Sequence, residues 1–315
     1  MLQIIRRTKL LYSLYNFFHR SQLVHNEKKL RLLGLNKKYF SPLSSKDFNS
    51  LAAPPSAPAV GNEEKLRACS LFSKLNEQAQ SSLLRFADNG YAVIPGYLTE
   101  AQADAVNTEI SGLLQQKKLR FNKSNKLMFA IHISSLLRGI GNRQQLTELL
   151  SCLLGGPARL FSSINFLMGS EQATHSDSIH MTTYPLGGLL GVWFALEDIT
   201  EENGPLHYFP QSHKLPYYLN SDYDNEGNFL FLGKKSYTDY ENMIAGKIQE
   251  QKLDKIKFLA KKGDVLIWHA NLFHGGDPHL NKEKTRKSMV LHYFNGDAIC
   301  YHEITQRPAL LRNGI

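Results

Sequence analysis

His175-Ser176-Asp177 sets one imidazole and one carboxylate two residues apart. In an extended chain, residues i and i+2 project from the same face, so the two side chains would aim at one point. Such a pair is two thirds of a 2-His-1-carboxylate facial triad, which holds Fe(II) and leaves coordination positions open. The third ligand must be a histidine distant in sequence, delivered by a neighbouring strand. His269, His274, His279 and His292 are the candidates. His-x-Asp alone is a weak signal, because an unrelated polar strand end produces it by chance.

More chemistry follows downstream. Gly263-Asp264 is a turn that leads into a β run ending at Trp268-His269. His274-Gly275-Gly276 comes five residues later, and its glycines let the chain turn sharply beside a metal. Arg286 leads into another β run and offers a planar fork for a carboxylate. Ser288, two residues on, could add a hydrogen bond from the same strand face. A metal beside a carboxylate-binding Arg is what a 2-oxoglutarate oxygenase needs. The 2-oxo acid chelates iron through its C1 carboxylate and keto oxygen, and its C5 carboxylate wants a cation.

The elements that must position these residues are mainly β. Residues 75–88 are expected to be helical, and Tyr91–Pro95 a short strand. Thr99 with Gln102 forms a capping box for a helix over 100–116. Another helix spans 143–154 and stops at Gly155-Gly156-Pro157. Short β runs follow at 158–168, 178–184, 189–197, 205–209, 264–269 and 287–295. Within 189–197, Leu190, Val192, Phe194 and Leu196 face one way, and Gly191, Trp193 and Ala195 the other. Several short strands with turns between them predict an antiparallel barrel or sandwich. Residues 220–255 are polar and read as an insertion, helical around 238–250. Gly187-Gly188 is a turn and not a phosphate loop, since no Lys-Ser/Thr helix start follows.

Charge narrows the function class. The chain has 315 residues and a formal net charge of +9. Residues 1–40 hold nine basic residues and one acid, Glu27, whereas the other 275 carry 28 basic and 27 acidic. The body is thus close to neutral, which speaks against a nucleic-acid groove. The basic segment, with Leu10, Leu11, Leu14, Phe17 and Phe18, reads as one or two amphipathic helices. It could dock on the body, lie on an anionic membrane surface, or serve as an organelle-targeting presequence. Residues 52–61, Ala-Ala-Pro-Pro-Ser-Ala-Pro-Ala-Val-Gly, read as an extended linker. The expected division is residues 1–65 as extension and linker, and 66–315 as one catalytic domain. Three cysteines, Cys69, Cys152 and Cys300, form no disulfide framework and no CxxC pair. A reducing, cytoplasmic setting is expected. No apolar run is long enough to span a membrane as a helix.

Taken in order, the motifs resemble one family. They are Asn89-Gly-Tyr-Ala-Val-Ile-Pro-Gly96, His175-Ser-Asp177, Gly191-Val-Trp193-Phe-Ala-Leu-Glu-Asp198, Asn203-Gly-Pro-Leu206, Pro210-Gln-Ser-His213-Lys, Gly263-Asp-Val, Trp268-His269, His274-Gly275 and Arg286. The set is similar to the phytanoyl-CoA dioxygenase family of Fe(II)/2-oxoglutarate oxygenases over residues 80–300. The resemblance implies a double-stranded β-helix (a cupin-like jelly-roll) with flanking and N-terminal helices. It implies iron on His175, Asp177 and His274, the 2-oxoglutarate C5 carboxylate on Arg286, and Trp193 lining the cosubstrate pocket. O2 is the other cosubstrate, and a small-molecule or acyl substrate is hydroxylated at an unactivated C–H bond, with release of succinate and CO2. Related halogenases carry a small residue at the position of Asp177, so the carboxylate implies hydroxylation. An upstream polar contact to the cosubstrate falls to Arg120, Lys126 or Asn165. The family's usual Pro-Gly-Ser-His turn is altered here to Pro210-Gln-Ser-His213. His213 is expected to cap that turn, His269 to have a structural role, and His180 either to line the substrate pocket or to be a bland strand residue. The competing reading is a non-catalytic jelly-roll that keeps the pocket, which leaves the retention of His175, Asp177, His274 and Arg286 without a reason.

Overall fold

The computed structural model describes residues 7–51 and 63–312. Twelve strands occur among them: β1 Tyr91–Ile94, β2 Leu127–Met128, β3 Ala158–Phe166, β4 Thr182–Tyr184, β5 Leu189–Ala195, β6 Leu206–Tyr208, β7 Ile256–Phe258, β8 Val265–His269, β9 His274–Gly276, β10 Ser288–Asn295, β11 Ile299–His302 and β12 Arg307–Pro308. The main sheet runs β1-β8-β5-β10-β3-β2, with every neighbouring pair antiparallel. Two three-stranded sheets, β7-β6-β9 and β12-β11-β4, complete a jelly-roll around an inner cavity.

The alternation in β5 sets the two faces of the main sheet. Leu190, Val192 and Phe194, with Leu196 just beyond the strand, join Ile267, Met289 and Leu291 in a core covered by helices. Trp193 and Ala195 turn inward beside Leu266, Trp268 and Val290. The strand is buried on both sides, which is why its sequence is apolar throughout. Helix Glu100–Gln115 buries Ala103, Val106, Ile110 and Leu113 against the outer face. It starts at the reciprocal Thr99/Gln102 capping box. Helix Gln144–Leu154 covers the same face and stops at Gly155, whose φ of +66° suits glycine.

Some boundaries differ from the sequence-based expectation. The helix over 75–88 is two pieces, Glu77–Leu84 and Phe86–Asn89. The strand over 178–184 shrinks to β4, and Asp177–Ile179 is a 3-10 turn. Strands β2, β7, β9, β11 and β12, of two to four residues, are too short to print a periodicity.

Residues 7–51 lie against the far end of the chain. Leu30, Leu43 and Phe48 are buried with Ile299 and Tyr301 of β11, and Phe48 stacks on Tyr184 at 4.4 Å. Burying side chains of this size contributes about 1.5–3 kcal/mol each. Backbone bonds join Leu43 N to Gln306 O and Leu311 N to Gln22 O. The linker read at 52–61 falls outside the described residues.

Candidate active site

His175 and His274 face each other across two backbone hydrogen bonds. Each N–H donates to the other's carbonyl at 2.9 Å, an isolated antiparallel bridge. Their rings lie 4.6 Å apart. His175 Nδ1 lies 2.9 Å from Ala173 O, and His274 Nδ1 lies 2.9 Å from Leu272 O. A carbonyl only accepts, so each Nδ1 carries the proton and each Nε2 keeps its lone pair. This is the tautomer a metal takes up. Both Nε2 atoms converge on Asp177 Oδ1, at 4.0 and 3.7 Å. The three donor atoms lie within 4.8 Å of one another, close enough to hold one ion.

Asp177 reaches this point by a different route from the extended strand expected. It opens the 3-10 turn, and its carboxylate is aimed by Trp268, whose Nε1–H donates to Oδ2 at 2.7 Å. Room for the indole comes from Gly191 on the adjacent strand, where a Cβ would collide with the Trp268 ring. Glycine's small size is therefore required in the middle of a buried strand. His292 Nε2 stands 3.7 Å from Oδ2, on the other side of the carboxylate. Burial alone would raise the Asp177 carboxyl, but His274, His292, His175 and the Trp268 N–H outweigh it and bring it to about 2. Burial also pushes His175 well below its ordinary value, with His274 adding to the effect. An ionised carboxylate and a neutral imidazole are the forms that bind a metal.

A second polar group of atoms surrounds Arg286. Its side chain is buried, its Nε has no partner, and its guanidinium lies 5.3 Å from the Phe166 ring centre. Burial pulls it down to about 10, against the nearby Glu197. The flanking chain is held firmly. Glu197 accepts from Thr285 Oγ1 at 2.8 Å and Lys287 N at 2.6 Å. Asn203 Nδ2 donates to Thr285 O at 3.0 Å. Ser288 and Trp193 add further buried polar atoms without partners, Oγ and Nε1. Buried donors are normally satisfied, and Arg286 and Trp193 both line the cavity, where an acceptor could meet them.

The cavity has a volume of about 590 Å³ and reaches from the triad to Tyr15 and Arg312. That size suits a small organic ligand. Trp193, Arg286, His180 and His292 line it, with Lys126 from the segment before β2. Of the three upstream candidates, Lys126 alone lines the cavity. Arg120 is exposed, and Asn165 pairs with Met289 and Leu127 of the helix-covered core. Burial lowers Lys126, whose Nζ donates to Gln172 Oε1 at 2.5 Å. Ser288 shares a strand face with Val290 and His292 but does not itself line the cavity. His269 and His279 lie away from the triad. His269 packs against His213 at 5.4 Å, and His279 bridges Asn203. His213 Nε2 donates to Ala87 O at 3.0 Å, and Gln211 holds a left-handed φ of +66°, where the usual glycine would be unstrained.

Several residues escaped sequence reasoning. Tyr240, from helix Tyr237–Glu250, lies 3.0 Å from the Oγ of Ser176, the residue between His175 and Asp177 in the chain. Tyr237 OH accepts from Gln172 Nε2 at 3.2 Å. His302 sits 5.6 Å from the His180 ring. Helix Tyr237–Glu250 carries no motif, so only its Tyr237-x-x-Tyr240 spacing on one helical face hinted at a buried side.

Comparison with known proteins agrees with this geometry. A family model described as phytanoyl-CoA dioxygenase matches residues 86–288. The phytanoyl-CoA dioxygenase domain-containing protein 1 homolog of Dictyostelium discoideum is 27% identical over 194 residues, 59% of this chain. The match spans 63% of that relative, less than two thirds of its length. A solved structure of the non-heme alpha ketoglutarate dependent carbocyclase SnoK from nogalamycin biosynthesis superposes with a TM-score of 0.58 at 18% identity, covering 72% of this chain and 87% of that one. EctD from S. alaskensis, solved with 2-oxoglutarate and 5-hydroxyectoine, gives 0.56 at 17% identity, covering 81% and 86%. At these identities the two structures share the jelly-roll fold.

Proposed function

The chain belongs to the phytanoyl-CoA dioxygenase family, and from that premise we propose that it is an Fe(II)- and 2-oxoglutarate-dependent oxygenase. The finer proposal is hydroxylation of an unactivated C–H bond in an anionic small molecule with an apolar body. The observation that carries this reading is the convergence of His175 Nε2, His274 Nε2 and Asp177 Oδ1, with both Nδ1 protons already tied to carbonyls. These three atoms would hold the iron. Bound there with 2-oxoglutarate, iron supplies O2 activation coupled to release of succinate and CO2.

The protein's own residues do the positioning. Arg286 would take the cosubstrate's C5 carboxylate, since its Nε is buried and unpartnered and Glu197 and Asn203 fix its backbone on both sides. Trp193 offers a further hydrogen atom to the cosubstrate, and Lys126 a nearby positive charge. Phe161, Ile164 and Phe166 keep water from the reacting carbon. Farther from the triad, Arg307 and Arg312 line the cavity, and among the described residues Asp177 is the one carboxylate in its lining. That imbalance supports a substrate carrying a carboxylate or phosphate.

Succinate formation from 2-oxoglutarate is expected to require Fe(II), to rise when the substrate is added, and to fall to background in Asp177→Ala. Mass spectrometry of the product should show one added oxygen. Turnover that persists without iron, or survives in Asp177→Ala, removes the proposal. For an anionic substrate, Arg312→Ala should raise KM about tenfold with little change in kcat, because it acts on binding alone.

A further inference from the structure

Helix Lys9–Phe18 is mounted with its apolar side outward. Leu10, Leu11, Leu14, Phe17 and Phe18 fall on one helical face, and they are 42–73% exposed. The opposite face carries Asn16, which is buried and donates to Phe40 O at 3.0 Å. A helix that docks on a soluble body ordinarily does the reverse. The segment that follows leaves Val24 and Leu32 exposed as well, at 53% and 75%. The segment that carries this surface is basic. Arg20, Lys28, Arg31 and Lys38 are exposed, and the Arg20 guanidinium rests 4.6 Å over the Phe17 ring. The only acid between residues 7 and 40 is Glu27.

We propose that helix Lys9–Phe18 is an interfacial anchor that seats the protein on an anionic phospholipid bilayer. Five large apolar side chains would enter the boundary between headgroups and acyl chains, and the surrounding cations would meet lipid phosphates. At ten residues the helix is about 15 Å long, too short to cross a bilayer, so it lies in the surface plane. Charge selects this occupant. A second copy of the chain would set basic surface against basic surface, whereas an anionic bilayer complements both the apolar stripe and its cationic border. The same helix turns Tyr15 and Asn16 into the lining of the cavity. Anchor and cavity wall are thus two sides of one short helix, and the cavity is placed next to the lipid surface.

The test is co-sedimentation of the full chain with vesicles of phosphatidylcholine alone and of phosphatidylcholine with 30% phosphatidylglycerol. A triple variant, Leu10→Ser with Leu14→Ser and Phe18→Ser, is run beside it, and thermal melting establishes that it is folded. The proposal expects binding to the mixed vesicles that is about tenfold stronger than to the neutral ones. It also expects this binding to weaken as salt is raised and to drop about tenfold or more in the triple variant. Three outcomes overturn it: no sedimentation with either vesicle, equal sedimentation of the triple variant, or a concentration-dependent dimer that the triple variant abolishes while neither vesicle binds. None of these readouts depends on turnover, so the anchor and the oxygenase reading stand or fall separately.

Discussion

The carboxylate of Asp177 has two oxygens with two different tasks. Oδ1 faces the imidazoles, while Oδ2 is held by the Trp268 indole at 2.7 Å. Trp268→Phe keeps most of the ring volume and removes the donor. It is expected to weaken metal binding about 10–100-fold, read by titration with Co(II) or Mn(II), with little change in thermal stability. The sequence made the convergence of His175 and Asp177 legible through His-x-Asp, but for an incomplete reason. Alternation along a strand predicted the shared aim, whereas Asp177 in fact sits at the start of a 3-10 turn and needs the indole to orient it. Trp268 and Gly191 were visible as motif residues. Their pairing across β5 and β8 was not, because cross-strand register is a long-range fact.

At the scale of elements, long strands and capped helices were readable, and the short elements around the site were not. Strands β5, β8 and β10 carry five to eight residues each, enough for a pattern. Strand β9, which delivers His274, has three residues, two of them glycine. Its pairing with β6 and the bridge to His175 come from the closure of the roll. The N-terminal segment makes the clearest prediction here. Leu30 is buried beside Leu43, Phe48, Ile299 and Tyr301. Leu30→Ala is expected to cost about 2–5 kcal/mol, seen as a lower midpoint in denaturant melting. Metal affinity should stay unchanged, since Leu30 touches none of the triad.

For the whole molecule, charge and stability are distributed unevenly. The sequence placed the positive excess at the N-terminus, and the structure shows that part of it is spent internally, with Lys29 Nζ donating to Ala298 O at 2.7 Å. His25 lies in the same buried layer, and burial pulls it from 6.5 to about 4. Folded protein therefore keeps this imidazole neutral where the unfolded chain would take up a proton. The unfolded state binds more protons between about pH 6.5 and 4, so stability is full above that window and declines as pH falls through it. Melting temperature measured across the window should fall less steeply in His25→Phe than in the parent. The packing of residues 7–51 on β11 and the 306–311 stretch has a consequence for synthesis. The amino-terminal arm leaves the ribosome well before its docking surface is made. For most of translation Leu30, Leu43 and Phe48 have nothing to cover them, and the arm closes only when more than 250 later residues have been added. Such late, long-range closure is slow, so nascent chains of this protein should lean on chaperones, and a truncation just before β11 should aggregate rather than fold.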